Sequence, residues 1–157
     1  MCTAVDTSGS PRGILHGVSQ VDIVDETFLV VPPKIVASAF ADPSSWRRYW
    51  PDLTLSVYAD RGDEGLRWTV RGALVGTMEV WLEPVLDGTI LHYFLRADLP
   101  EPVSQRESDK ERRRRQLAAK RIALELKAVL EDGRAPGCAP EPGATALGRS
   151  IEPGRRT

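Results

Sequence analysis

The 157-residue sequence predicts an α+β domain: a strand and two short helices lead into an antiparallel meander, which one long helix closes. Three observations carry this prediction. Phe28 to Pro51, FLVVPPKIVASAFADPSSWRRYWP, changes from strand to helix character across a pair of prolines. Residues 53–99 alternate apolar and polar side chains between turn signals. Residues 104–133 hold a helical pattern with a start and a stop.

The elements follow in order. Phe28 to Val31 is β-branched and aromatic, as a buried strand requires. Pro32-Pro33 stops it, and Pro33 suits the first turn of a helix, where its missing N–H costs nothing. Ile35, Val36, Ala39 and Phe40 then recur at helical spacing. Asp42-Pro43 ends this helix, and Asp42 caps a second one from about Pro43 to Tyr49. Trp46, Tyr49 and Trp50 crowd this second helix before Pro51 closes it, and they mark the lip or floor of something hydrophobic.

Four strands come next. Leu53, Leu55 and Val57 alternate with polar neighbours, as do Leu66, Trp68 and Val70, then Met78, Val80 and Leu82. Arg61-Gly62-Asp63-Glu64-Gly65 is a turn; its Arg-Gly-Asp tripeptide suggests cell adhesion, but the two glycines between strands argue for a plain connection. Gly72 and Gly76 flank a bend, and Asp87-Gly88 is a hairpin signal. The strand Thr89–Leu99 places Leu91, Tyr93, Leu95 and Ala97 on one face and Ile90, His92, Phe94 and Arg96 on the other. In the last helix, Ser104 with Glu107 or Ser108 with Glu111 forms a capping box. Leu117, Ala118, Ile122, Leu126, Val129 and Leu130 supply its apolar stripe, and Gly133 stops it. A helix of this length spans about 37 Å, enough to cross an antiparallel sheet.

Residues 1–20 and 133–157 are rich in Gly, Pro, Ser, Ala and Arg and show no period, so they read as tails around a folded unit at 21–132. A net charge of −1 gives no global attraction to nucleic acid. Cys2 and Cys138 fall in the tails, which suggests neither a disulfide framework nor a metal site. The sequence has no apolar run long enough to cross a membrane and no signal-peptide order at its start, so the expected location is the cytoplasm and no stable membrane insertion is expected.

The order of these elements resembles the SRPBCC superfamily, the START-like or helix-grip fold, and most closely its actinobacterial polyketide cyclase/dehydrase branch. The matching features are Val31-Pro32-Pro33, the helix Lys34–Ala41, Asp42-Pro43 leading to Trp50-Pro51, Leu82-Glu83-Pro84, Asp87-Gly88-Thr89 and the closing helix through Leu126-Lys127 and Leu130-Glu131. The resemblance spans about residues 24–132 and implies a curved sheet gripping the long helix around a hydrophobic cavity. It also implies an apolar ligand, since members bind lipids, polyketides, quinones or hormones, and some are cyclases or dehydratases. The chain departs from the pattern in its strand count. Only about five strands are present, as though the hairpin between Asp60 and Leu66 were missing, and a narrower sheet leaves a smaller or more open cavity.

The expected lining of that cavity is Trp50, Trp68, Val80, Leu82, Leu91, Tyr93, Leu95, Ile122 and Leu126; the alternative is an ordinary filled core. No catalytic residue is assigned. Tyr93 can orient a carbonyl or act as an acid, but a buried tyrosine more often packs as core with one bonded tip. With His16 in a tail and His92 on the face away from the cavity, no metal is expected, and nothing calls for a cofactor. Arg47 and Arg48 either meet an acidic ligand head or form a solvated surface. Segment 105–121 holds eight basic residues against three acidic ones, and the run Arg112–Arg115 wraps right round the helix. That turn is expected to project beyond the sheet as a solvated end, with an anionic partner as the alternative. No aromatics interleave the run, which argues against nucleic acid.

The sequence thus reads as a small domain that binds an apolar small molecule or lipid, more a binding protein than an enzyme. A polyketide cyclase or dehydratase and a protein-interaction module with a filled core are the alternatives. Trp81, Ile90 and Phe94, with Phe28 beside them, point away from the long helix, and this outward apolar patch implies a homodimer centred on Trp81 and Phe94.

Overall fold

Prolines and polar caps set the element boundaries in the computed structural model, which describes residues 17–132. Expectations for both tails beyond those limits, and for Cys2, His16 and Cys138, lie outside the described residues. The first strand is β1 (Val21–Leu29), longer and earlier than Phe28–Val31, because Val21, Ile23, Asp25 and Leu29 already alternate inward. Pro33 opens α1 (Pro33–Ala41), which buries Val36 and Phe40. Asp42 caps α2 (Pro43–Tyr49) by accepting from the Ser44 backbone N–H at 2.9 Å. Then come β2 (Leu53–Asp60), a single 3₁₀ turn at Gly62–Glu64, β3 (Gly65–Gly72), β4 (Val75–Val85) and β5 (Gly88–Asp98). The chain closes with α3 (Gln105–Leu130), started by a capping box between Ser104 and Glu107, the first of the two pairs the sequence offers.

The five strands form one antiparallel sheet in the order β1-β5-β4-β3-β2. Its inner face is apolar: Leu66, Trp68, Val70, Met78, Val80, Leu82, Leu91, Leu95 and Ala97 are all buried. His92 and Phe94 lie on the opposite face, as the alternation of β5 requires. The expected inward set on β2 fails at Val57, which is 41% exposed although it stays opposite buried Trp68, because β2 is the outer strand of the sheet; a bulge follows between Val57 and Ala59. Arg61 of the Arg-Gly-Asp turn donates to Glu79 at 2.7 Å, so its guanidinium belongs to the sheet.

The buried face of α3 also differs from the expected stripe. Arg115, Ala119, Ile122, Ala123 and Leu126 face the sheet, while Leu117 is 68% and Val129 74% exposed. Two alanines on the inner face let the helix lie close along β1. That strand is a sheet edge, and α3 covers it with side chains. Lys120 Nζ donates to the Glu26 carbonyl at 3.1 Å, Lys127 Nζ donates to the Phe28 carbonyl at 2.9 Å, and Glu131 accepts from the Val30 N–H at 2.7 Å. Edge groups satisfied this way offer no template to another strand.

The β4–β5 hairpin turns one residue earlier than expected, through Leu86 and Asp87. Gly88 is already in β5, where a Cβ would fall 2.3 Å from the Leu29 carbonyl oxygen. Leu86 therefore adopts φ of 53° with its side chain 97% exposed. The left-handed conformation costs a branched L-residue about 1–2 kcal/mol. Leu86→Gly is expected to raise stability by about 0.5–1 kcal/mol, read as a higher midpoint in thermal or urea denaturation. A lower midpoint would mean that the Leu86 side chain contributes packing after all.

Candidate functional site

Between the sheet and α3 the space is filled mainly by aromatic rings, delivered there by the short α2 helix. Trp50 is 3% exposed and lies against Trp68 (centroids 6.0 Å apart) and Tyr93 (6.2 Å, nearly parallel at 9°). Tyr49 meets Trp50 edge-on at 5.5 Å, and Trp46 meets Trp68 edge-on at 5.5 Å. Such offset and edge contacts are the favoured arrangements for aromatic pairs. What remains open is a void of about 10 Å³, room for one water at most.

Five of the expected lining residues border this void: Trp50, Val80, Leu91, Tyr93 and Ile122. Trp68, Leu82, Leu95 and Leu126 are buried in the same core but do not border it. Asp25, Phe40, Ala119 and Ala123 border it too, and sequence reasoning missed all four. Asp25 was within reach of the alternation Val21, Ile23, Asp25, had β1 been started at Val21. The two alanines were hidden because they are small, and only close helix packing gives them a role.

The polar groups here are unequally satisfied. The Trp46 indole N–H donates to the Phe40 carbonyl at 2.8 Å. Trp68, with no exposure at all, has no partner for its indole N–H. The Tyr93 hydroxyl donates only to the Met78 thioether at 3.3 Å, a weak acceptor. Burial raises the pKa of Tyr93 well above the usual tyrosine value, so the group stays protonated and remains a donor. Asp25 is paired, with Lys120 Nζ at 2.8 Å and the Thr27 hydroxyl at 3.3 Å. Among the described residues no group of three or more His, Cys, Asp or Glu side chains could hold a metal ion.

The arginine run is a solvated end only in part: Arg112, Arg113 and Arg114 are exposed, and Arg115 is not. Arg115 is 4% exposed and grips Asp52 with both terminal nitrogens, at 2.9 and 2.7 Å, while its Nε donates to Glu111 at 2.7 Å. Arg114 adds bonds to the same two carboxylates, and Arg112 pairs with Asp109 at 3.1 Å. Only Arg113 of the four stays exposed without an ion pair among the described residues. The pull on Arg115 comes from the turn after α2, which brings Asp52 against α3 two residues beyond Trp50. Of the two arginines on α2, Arg47 is exposed, and Arg48 sits over the Tyr49 ring at 5.1 Å.

On the outer face of the sheet, His92 is 7% exposed and stacks on Trp81 at 4.3 Å. Its two ring nitrogens meet Glu26 at 3.0 Å and Glu83 at 2.9 Å. Phe94 continues the stack, and Phe28 beside it is 38% exposed.

No family model matches the sequence, and no curated protein matches it. Solved structures do. The solution structure of the Aha1 dimer from Colwellia psychrerythraea shares 15% identity at a TM-score of 0.51, over 73% of this chain and 99% of that one. The crystal structure of DR_A0006 from Deinococcus radiodurans gives 13% and 0.50 over 69% and 99%, and that of Ms6760 from Mycobacterium smegmatis gives 12% and 0.50 over 73% and 94%. At such identities the likeness is one of fold. The chain has a helix-grip fold: a five-stranded antiparallel sheet, two short helices after the first strand and a long C-terminal helix. No helix among the described residues is long and apolar enough to cross a membrane.

Asp52 supplies the test of the ion-pair cluster. Burial acts to raise its pKa, but the hydrogen bonds and charges of Arg115 and Arg114 outweigh burial and hold it at about 2, against an ordinary 3.8. A carboxyl lowered on folding stabilises fully above its unfolded value and loses that contribution as pH falls toward the folded one. Wild-type stability in urea is therefore expected to drop between about pH 4 and pH 2. Asp52→Asn should cost about 2–3 kcal/mol at pH 7, since it strips the buried Arg115 of its bidentate partner and leaves it Glu111. The variant should also show a shallower acid dependence, and equal slopes in the two proteins would refute the assignment to Asp52.

Proposed function

We propose that this domain binds an apolar small molecule or lipid that carries a hydrogen-bond acceptor, in the space between sheet and α3 that Trp50 occupies. The observation that supports this reading is the Trp68 indole N–H, buried and unpaired. An unsatisfied buried donor costs about 1–3 kcal/mol, and a core that was only a core would find it a partner. The Tyr93 hydroxyl, protonated and spent on a thioether, is a second donor in the same cluster. Trp50 contacts both rings. In this reading Trp50 acts as a plug: an entering ligand takes its place against Val80, Leu91 and Ile122, and its carbonyl or carboxyl oxygen accepts from Tyr93 or Trp68. A second reading, a protein-interaction module with a filled interior, draws support from the small size of the void.

One set of variants separates the two. Trp50→Ala is expected to increase uptake of a fluorescent fatty acid by the folded protein, and Tyr93→Phe in that background to weaken it about tenfold, the worth of one buried hydrogen bond. Adding Ile122→Trp to Trp50→Ala should abolish uptake. If the interior is merely core, Trp50→Ala instead loses about 3–5 kcal/mol of stability and takes up nothing. Native mass spectrometry of freshly purified wild type would reveal a ligand already bound.

The partner we propose for the outer sheet face is a second copy of the chain. Trp81, Phe94, Ile90 and Phe28 lie there on adjacent strands, and large aromatics dominate the binding energy of most interfaces. Sedimentation of the wild type at tens of micromolar should show a dimer, and Trp81→Glu a monomer. A monomeric wild type ends this reading.

A further inference from the structure

The face of α3 turned away from the sheet carries a pattern that neither the grip nor its contents explain. Arg106, Lys110, Arg113, Leu117, Arg121 and Leu124 follow one another at steps of three or four, and every one is exposed. Ala128 continues the line. From Arg106 to Ala128 the line runs about 33 Å along the helix axis. Its first half is basic, and its second half forms a shallow apolar trough between Leu117, Leu124 and Ala128, flanked by Lys120, Arg121 and Glu125.

The basic residues on this line differ from their neighbours in the same helix. Arg112, Arg114, Arg115, Lys120 and Lys127 are all bound to carboxylates. Arg106, Lys110 and Arg113 make no ion pair among the described residues, and Arg121 reaches Glu125 only at 3.9 Å. The fold has neutralised the cations that touch it and left these outward. Leu117 at 68% and Leu124 at 52% exposure are equally unpartnered.

We propose that this face of α3 docks on an anionic phospholipid bilayer, lying parallel to its surface. The charges match: a row of exposed cations, three of them in no ion pair among the described residues, meets a plane of anionic headgroups, each cation near the surface adding about a fivefold gain in binding. The two leucines dip into the boundary between headgroups and acyl chains, as the apolar face of an interfacial helix does. A single-stranded nucleic acid would also meet the charge, but it needs rings to stack on, and the line has none. Attachment is peripheral, since α3 keeps its inner face on the sheet.

Co-sedimentation of the full chain with vesicles tests this directly. Binding is expected to vesicles of phosphatidylcholine with phosphatidylserine, to be absent with phosphatidylcholine alone, and to fall with added salt. Lys110→Gln and Arg113→Gln should each weaken binding about fivefold. Leu117→Ser with Leu124→Ser should weaken the part that survives high salt. These positions are exposed, so thermal melts of all four changes should match wild type; Arg106→Gln serves in place of any variant that melts early. No fatty acid is present in this assay, so its outcome is independent of whether the interior takes a ligand. Equal binding to both vesicle types, no binding to either, or displacement of the protein from vesicles by an unlabelled single-stranded oligonucleotide would each overturn the proposal.

Discussion

The bidentate pair between Arg115 and Asp52 holds together parts of this molecule that otherwise have little reason to meet. Asp52 stands two residues beyond Trp50, and Arg115 stands one turn before Ala119 on the inner face of α3. Closing that pair sets where the turn after α2 lies against the helix and therefore where the Trp50 ring is carried. Glu111 and Arg114 complete the charge balance, so the buried guanidinium is not left to the cost of an isolated ion. The clamp and the cluster's own ring contacts both bear on where Trp50 sits.

The consequence for function follows from geometry. A helix-grip sheet of five strands gives less wall than a longer one, and here α1 and α2 fill the shortfall with Phe40, Trp46, Tyr49 and Trp50. A grip closed that tightly leaves about 10 Å³ unfilled. Yet the packing is incomplete in hydrogen bonding where it is complete in volume, with the Trp68 N–H unpaired and the Tyr93 hydroxyl on sulfur. Close packing beside an unpaired donor is what the proposed ligand, in place of the Trp50 ring, would exploit.

The long helix has three separate duties on its surface. Arg115, Ala119, Ile122, Ala123 and Leu126 complete the core. Lys120 and Lys127 bond the Glu26 and Phe28 carbonyls on the β1 edge and Glu131 the Val30 N–H just past it, which blunts that edge. The third face serves neither, and its exposed cations and leucines are what a partner outside the domain would find.

Much of this was legible in the chain itself. Pro33, Asp42 and Ser104 with Glu107 mark helix starts by local chemistry, and period-two alternation put Leu91, Tyr93 and Leu95 on the face opposite His92 and Phe94. These signals are local, so the sequence carries them without reference to anything distant. Tertiary structure decided the rest. Nothing near Arg115 in sequence says that it is buried and Arg113 is not, because the carboxylate that buries it lies 63 residues away. Leu117 and Ala119 are both apolar helix residues, and only the tight approach of α3 to β1 chose the smaller for the inside. The void, the aromatic rings around it and the unpaired Trp68 N–H arise from segments converging in space. Periodicity assigns a residue to a face; which residues meet across that face depends on packing between elements far apart in the chain.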